Sequence, residues 1–173
     1  CILMGTGIPT TPTYIILASI AAPALATLGV PLLATHFFVF YYGVLTDVTP
    51  PVALAAYAAA GIAGSEPMRT GLTAFRLSMG KALVPFMFTY TPALLFVDFT
   101  WSAFVSAIVA GVVGILALSA AFARWFATTV SRVEQVLLSV GGLILVFNQF
   151  WLNVAGFAIV GVTLAANVLR ARR

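Results

Sequence analysis

The chain has 173 residues, of which 62% are hydrophobic and only 7% charged, and its mean hydropathy is +1.14. Soluble domains carry roughly 25% charged residues, so this composition predicts an integral membrane protein surrounded by lipid bilayer. The net charge of +4 includes no basic run interleaved with aromatic residues, which excludes a nucleic-acid surface. With one histidine, one cysteine and no Ser-His-Asp grouping, the sequence offers no catalytic constellation, so neither an enzyme nor a cofactor is expected.

Turn-forming residues interrupt the apolar sequence first at residues 5–13, which read GTGIPTTPT. Thr11 as N-cap and Pro12 just inside the start predict a helix that runs to about Leu28. Such a helix of about 17 residues would be roughly 25 Å long, which is short for a full crossing of the bilayer. The sequence therefore predicts one arm of a re-entrant hairpin whose tip, residues 5–10, lies near the middle of the bilayer.

The second interruption lies at residues 43–51, which read GVLTDVTPP, within an apolar run that begins after Gly29-Val30-Pro31 and ends near Gly64. An unbroken helix of about 32 residues would span about 48 Å, more than the hydrocarbon core of a membrane. Two half-helices that meet near the midplane fit better. Thr49 is the predicted N-cap of the second half, with Pro50 at its first position.

Charged residues predict how the following segments are oriented. Residues 65–81 contain Arg69, Arg76 and Lys81, which places this segment on the cytoplasmic side. Residues 82–97 would then be a short crossing that ends outside, at Asp98.

The C-terminal part predicts three further apolar segments. Residues 101–122 return the chain to the inside at Arg124, and residues 133–147 and 150–169 form an out-and-back hairpin joined at Asn148-Gln149. The pattern throughout is that of an all-α polytopic membrane protein.

The two interruptions are the features that indicate function. Lipid cannot satisfy free backbone N–H and C=O groups, so paired broken helices are typical of the ion and substrate site of a transporter. Threonine hydroxyls and freed carbonyls are hard oxygen ligands that suit a small cation such as sodium. The C-terminal end of the first half-helix, near residues 43–46, should attract that cation, and the N-terminal ends at Thr11 and Thr49 should attract a carboxylate.

Three residues beside these helix ends are candidate substrate contacts: Pro9, Asp47 and Pro50. An intramembrane acid such as Asp47 is a functional candidate by default, but it is equally consistent with a cap on the half-helix. His36, beside two phenylalanines, is more typical of a packed or interfacial histidine than of a proton relay.

Several motifs in a fixed order resemble one transporter family. GTGIPTTPTY is followed by FYYGVLTDVTPPVALAAYAAAGIAG, then by EPMRTGLTAFR and VPFMFTYTPALL. Over residues 1–98 this order resembles the C-terminal end of a TRAP transporter large membrane subunit, most closely a fused permease of the TAXI type. The resemblance implies an elevator-type carrier with two inverted repeats, each with a re-entrant hairpin and a broken helix. This chain would hold the second repeat, as the C-terminal portion of a longer permease.

The resemblance also implies a sodium site and partners. By motif position, the site residues would be Gly5, Thr10 and Thr11 in the hairpin tip, and Gly43, Thr46 and Thr49 in the broken helix. Gly43 lies farther from the Pro-Pro pair than in simpler family members, so either Thr46 or Thr49 could be the ligand. Such permeases import organic acids that a periplasmic solute-binding protein delivers, and sodium is their coupling ion.

These expectations combine into one prediction. Residues 1–98 would be part of the transport core, and residues 99–173 would be accessory transmembrane helices. The protein would be a multi-pass component of the bacterial inner membrane that works with the remainder of the permease chain. The alternative from another functional class is a non-transporting membrane subunit or a channel, whose kinks only shape packing.

Overall fold

The computed structural model describes residues 10–172, and every regular element within that range is helical. The chain divides into two compact units, one up to Ser78 and the other from Met79 onward. Of the predicted hairpin tip, residues 5–9, which include Gly5 and Pro9, lie outside the described residues, and Thr10 is the first residue of a helix.

The first unit begins with a helical hairpin of α1 (Thr10–Thr27) and α2 (Leu32–Leu45). α1 has 18 residues, or about 27 Å, and it ends where predicted. Gly29 adopts φ of 79° after the last turn. The N–H of Val30 then donates to the Leu25 carbonyl at 3.2 Å, which closes the helix end. α1 is already helical at Thr10, so the prediction that Thr11 is its N-cap is wrong.

The predicted interruption of the second apolar run is present, although it begins later than Gly43. α2 continues to Leu45, a single 3-10 turn covers Thr46–Val48, and α3 (Leu54–Ala63) follows. The N-cap of α3 is Ala53, with φ of 36°, so Thr49 is not the N-cap as predicted. A residue that precedes proline is disfavoured in the helical region, and Pro50-Pro51 restricts two positions in succession. The second half-helix therefore starts only after both prolines.

α4 (Pro67–Ser78) packs against this interruption. Its first turn is capped by Glu66, whose carboxylate accepts the N–H groups of Met68 and Arg69. Gly71 is the contact point: a Cβ there would lie 2.9 Å from the Tyr57 ring and 3.4 Å from Pro50 Cγ. The missing side chain lets α4 approach the break closely and support it.

In the second unit, the segment predicted as a short crossing is not one continuous helix. A 3-10 turn at Gly80–Leu83, α5 (Val84–Tyr90) and a second 3-10 turn at Pro92–Leu95 follow one another. Pro92 disfavours helical conformation at the residue before it, and α5 accordingly ends at Tyr90. The 7 residues of α5 span only about 10 Å.

The rest of the second unit is a bundle of three helices, α6 (Trp101–Ala123), α7 (Arg132–Ile144) and α8 (Phe150–Ala171). Glycines bring these helices together. A Cβ on Gly114 of α6 would lie 3.2 Å from the Gly142 carbonyl of α7, and one on Gly156 of α8 would lie 3.2 Å from the Gly141 carbonyl. Close backbone approach at small residues is typical of membrane helix packing.

α7 and α8 form a helical hairpin joined where the sequence predicted, and an ion pair links its open end. Arg170, in the last turn of α8, lies 2.9 Å from Glu134, in the first turn of α7. Ser131 and Glu134 also form a capping box at the start of α7. Asn167 Oδ1 accepts the N–H groups of Ala127 and Thr128, both at 3.2 Å, and so fixes the loop that enters α7.

Three of the described helices are long and apolar enough to cross a membrane: α1, α6 and α8. The prediction that α1 is short for a full crossing is therefore not supported. The half-helices on either side of the break are apolar but shorter. Their length and composition support a membrane protein.

Candidate cation site

The two interruptions singled out in the sequence meet in the first unit. Thr10 Oγ1, at the start of α1, donates a hydrogen bond to Asp47 Oδ2 in the 3-10 turn of the break, and the two oxygens are 2.9 Å apart. Both residues are half-buried, and 37 positions separate them in the chain. The contact arises because α1 and α2 run antiparallel from the turn at Gly29, which brings the first residue of one beside the end of the other.

Gly43 forms the close contact beneath this hydrogen bond. A Cβ built on Gly43 would lie 3.7 Å from the Thr10 carbonyl oxygen and 3.9 Å from the Tyr14 backbone nitrogen. The first turn of α1 therefore packs directly on the last turns of α2. The structure thus brings together Thr10, Gly43 and Asp47, two of them predicted cation ligands and one a predicted substrate contact.

The hydroxyls of Thr46 and Thr49 both turn back onto α2. Thr46 Oγ1 donates to the Gly43 carbonyl and Thr49 Oγ1 donates to the Leu45 carbonyl, each at 2.7 Å. Both side chains are buried, with 2% and 7% of their surface exposed. The two hydroxyls thereby add hydrogen bonds to carbonyls at the C-terminal end of the first half-helix, of which the Gly43 carbonyl also accepts the Thr46 N–H. Each hydroxyl oxygen keeps lone pairs that a cation can use.

Other predicted site residues lie apart from this cluster. Thr11 is exposed on α1, next to Thr10 but without a hydrogen bond to Asp47. Pro50 is half-buried and packs toward Gly71 of α4. Gly5 and Pro9 lie outside the described residues.

The electrostatics of the cluster favour a cation. The last carbonyls of α2 carry the partial negative charge of a helix C-terminus, and the Asp47 carboxylate adds to it. That same carboxylate lies at the start of α1, where the sequence suggested that a substrate carboxylate would be attracted. The contact that the structure shows for Asp47 is with the Thr10 side chain, so both interpretations of Asp47 stay open. Among the described residues, no three His, Cys, Asp or Glu side chains gather as a transition-metal site would require.

One pair was missed in the sequence. The Tyr14 hydroxyl lies 3.0 Å from His36 Nδ1, and this hydrogen bond joins α1 to α2 further along the hairpin. The sequence feature that could have indicated this pair is the spacing of four residues from Thr10 to Tyr14, which places both side chains on the same face of a helix. His36 is half-buried at this contact.

Broken helices that meet a neighbouring helix through polar groups are typical of membrane transport proteins, and the described elements of this apolar chain are all helical. A comparison with protein families specifies that class further. The model of the family described as "Tripartite ATP-independent periplasmic transporter, DctM component" matches residues 1–103, and the chain belongs to this family. It is therefore a membrane permease component of a TRAP transporter and not an enzyme. The family implies association with a periplasmic binding protein and other subunits.

No curated protein and no solved structure matches the chain. The family match covers the first unit and the second unit up to the start of α6. Most of the three-helix bundle lies beyond it.

Proposed function

We propose that this chain is the C-terminal part of a sodium-coupled permease that imports organic acids. In this proposal a periplasmic solute-binding protein delivers the carboxylate, and the remainder of the permease chain supplies the other half of the transport site. The permease would be of the fused TAXI type, in the bacterial inner membrane. Membership of the TRAP family supports transport, and the motif order supports the finer assignment.

One observation carries the sodium proposal: the hydrogen bond between Thr10 and Asp47 joins the two interruptions of the helices. It places a hydroxyl and a carboxylate side by side, against the C-terminal end of a half-helix. These are hard oxygen donors, the type that small alkali and alkaline-earth cations prefer over nitrogen or sulfur. Sodium between the two would balance the Asp47 charge, which is costly at membrane depth. We assign Asp47 to the cation, although the sequence suggested substrate.

The threonines of the break divide into two roles in this proposal. Thr46 donates to the carbonyl of Gly43, the residue whose Cα packs against the first turn of α1, so Thr46 is the nearer candidate ligand. Thr49 holds the Leu45 carbonyl and lies toward the proline pair, which favours a structural role. The Gly43 carbonyl accepts both the hydroxyl and the N–H of Thr46, so cation binding there would displace one of them.

Coupling would follow from the geometry of the break. A cation held between α1 and the break ties the two interrupted elements together, and an empty site leaves an uncompensated Asp47 carboxylate. The loaded and empty forms then differ in how firmly α1 is fixed to α2. A ligand can shift a conformational equilibrium only through such differential binding.

Reconstituted uptake tests this proposal. The intact permease that contains this chain, in liposomes with its binding protein, is assayed with a panel of carboxylates under an inward sodium gradient. We expect uptake of at least one carboxylate to rise steeply with external sodium and to stop when choline replaces it. Uptake that is indifferent to sodium would overturn the coupling, and conductance beyond carrier rates would indicate a channel.

A further inference from the structure

The α1–α2 hairpin contains a recess beside the candidate cation site. It has a volume of about 240 Å³ and is lined by Tyr14, His36, Phe37 and Phe40. Tyr14 lies one turn after Thr10 on α1. His36 and Phe40 precede Asp47 by eleven and seven positions, which places all three on one face of α2 and its continuation. The recess, called here the aromatic recess, therefore opens on the same face as the contact between Thr10 and Asp47.

The aromatic recess has apolar walls. Phe37 and Phe40 have 41% and 50% of their surface exposed, and the Tyr14 ring meets Phe40 edge-on, with centroids 6.0 Å apart. Exposed aromatic rings around a concave surface favour the apolar part of a ligand. The volume of the recess, about 240 Å³, lies below the roughly 300–1,000 Å³ of usual ligand pockets, so the recess can hold only a small molecule or part of a larger one.

His36 supplies the one ring N–H at this surface. The Tyr14 hydroxyl lies 3.0 Å from His36 Nδ1, and this contact holds the ring against α1. Which of the two atoms donates depends on the imidazole tautomer. If Tyr14 donates to Nδ1, the imidazole proton is on Nε2, where it is a donor for a ligand.

One donor and aromatic walls together define a ligand class. A carboxylate can accept from Nε2–H while an aliphatic or aromatic body lies against Phe37 and Phe40. A second carboxylate or a set of hydroxyls would be placed against phenyl rings without partners, and burying such groups unpaired is unfavourable. Among the lining residues of the recess no second N–H is available for such groups, so the recess by itself favours monocarboxylates over dicarboxylates and sugar acids.

We propose that the aromatic recess binds the apolar body of a monocarboxylate substrate, with His36 as the residue that holds its carboxylate. This proposal rests on carboxylate transport as the proposed function and narrows its substrate class. It also separates the two ligands along one helix face, with the cation at Asp47 and the carboxylate toward His36.

Direct binding to the intact purified permease in detergent tests the proposal, with phenylacetate, butyrate and succinate as probes at saturating sodium. We expect phenylacetate and butyrate to bind more tightly than succinate. His36→Leu should weaken phenylacetate about tenfold or more, as expected for loss of a hydrogen bond to a charged group. Phe40→Leu should weaken phenylacetate more than butyrate. Phe38→Leu is the matched control, because Phe38 lies between the two phenylalanines in sequence but does not line the recess.

Photolabelling of the wild-type protein tests the same proposal without relying on substituted proteins that fold correctly. A diazirine derivative of phenylacetate, irradiated with the wild-type permease, should label the peptide that contains residues 36–40, and excess phenylacetate should prevent it. Labelling confined to other segments would overturn the proposal, as would tighter binding of succinate or unchanged affinity in both His36→Leu and Phe40→Leu. Those results would not contradict carboxylate transport as the proposed function. Failure of the wild type to bind or transport any carboxylate would instead refute the proposed function itself.

Discussion

Replacing Thr10 by valine removes the hydroxyl at the candidate cation site and keeps the shape of the side chain. Within residues 10–172 this hydroxyl donates a hydrogen bond, 2.9 Å long, to the half-buried Asp47 carboxylate. A hydrogen bond to a charged group contributes about 1.5–3 kcal/mol. If sodium binds between these groups, the half-saturating sodium concentration for uptake should rise roughly 10- to 150-fold, at about 1.4 kcal/mol per decade.

The assay is uptake by reconstituted permease over a range of sodium concentrations, with thermal unfolding in detergent measured in parallel. Thr11→Val is the matched control, because Thr11 is the adjacent residue of the same type and is exposed. It should leave sodium activation unchanged. In an Asp47→Asn background the additional effect of Thr10→Val should largely disappear, since the two residues act as a pair. Equal sodium dependence of folded Thr10→Val and Thr11→Val proteins would refute the reasoning.

The remaining predictions concern the stability of the second unit, measured by thermal unfolding in detergent. Gly80→Ala should lower the free energy of unfolding by about 1–3 kcal/mol, because the new Cβ would lie 2.9 Å from a backbone carbonyl oxygen of α6. Gly161→Ala is the control: a Cβ there would meet no atom within 4 Å, so this variant should be neutral or stabilising. Asn167→Leu should lower the free energy of unfolding by about 1–3 kcal/mol, because two loop N–H groups lose their acceptor. Asn167→Asp keeps an acceptor oxygen, so it should lower the free energy of unfolding less. Burial alone would raise the pKa of Glu134, but hydrogen bonds from Ser131 and Arg170 outweigh it and lower the pKa below its ordinary 4.5. Glu134 therefore stabilises the fold fully above that value, and its contribution should fall as pH drops through the lowered pKa, a loss that Glu134→Gln should not show.

Much of the fold follows from local chemistry in the sequence. The turn at Gly29, the break before Pro50 and the hairpin joined at Asn148-Gln149 each depend on residues within a few positions of one another, and all three are present. The failures also have local causes. Thr49 resembles an N-cap, but two consecutive prolines delay the next helix to Leu54. Thr91-Pro92 interrupts residues 82–97, which the sequence predicts as a single membrane crossing.

The candidate site was only partly predictable, because its central contact is long-range. The sequence identified Thr10, Gly43 and Asp47 separately, as members of two unusual segments. That Thr10 bonds to Asp47 depends on how α1 packs against α2, and this register is set by the turn and by the contact at Gly43. Local patterns carry no information on such a register, so the contact between Thr10 and Asp47 could not be predicted.

Binding of radioactive sodium to the purified intact permease tests the central claim most directly, which is that the contact between Thr10 and Asp47 forms a cation site. Wild-type and Asp47→Asn proteins are compared at equal folded concentration, with unlabelled sodium and choline as competitors. We expect saturable binding to the wild type that unlabelled sodium displaces and choline does not, and a loss of about tenfold or more in affinity when the Asp47 charge is removed. Equal sodium affinity in the two proteins would contradict the proposed site.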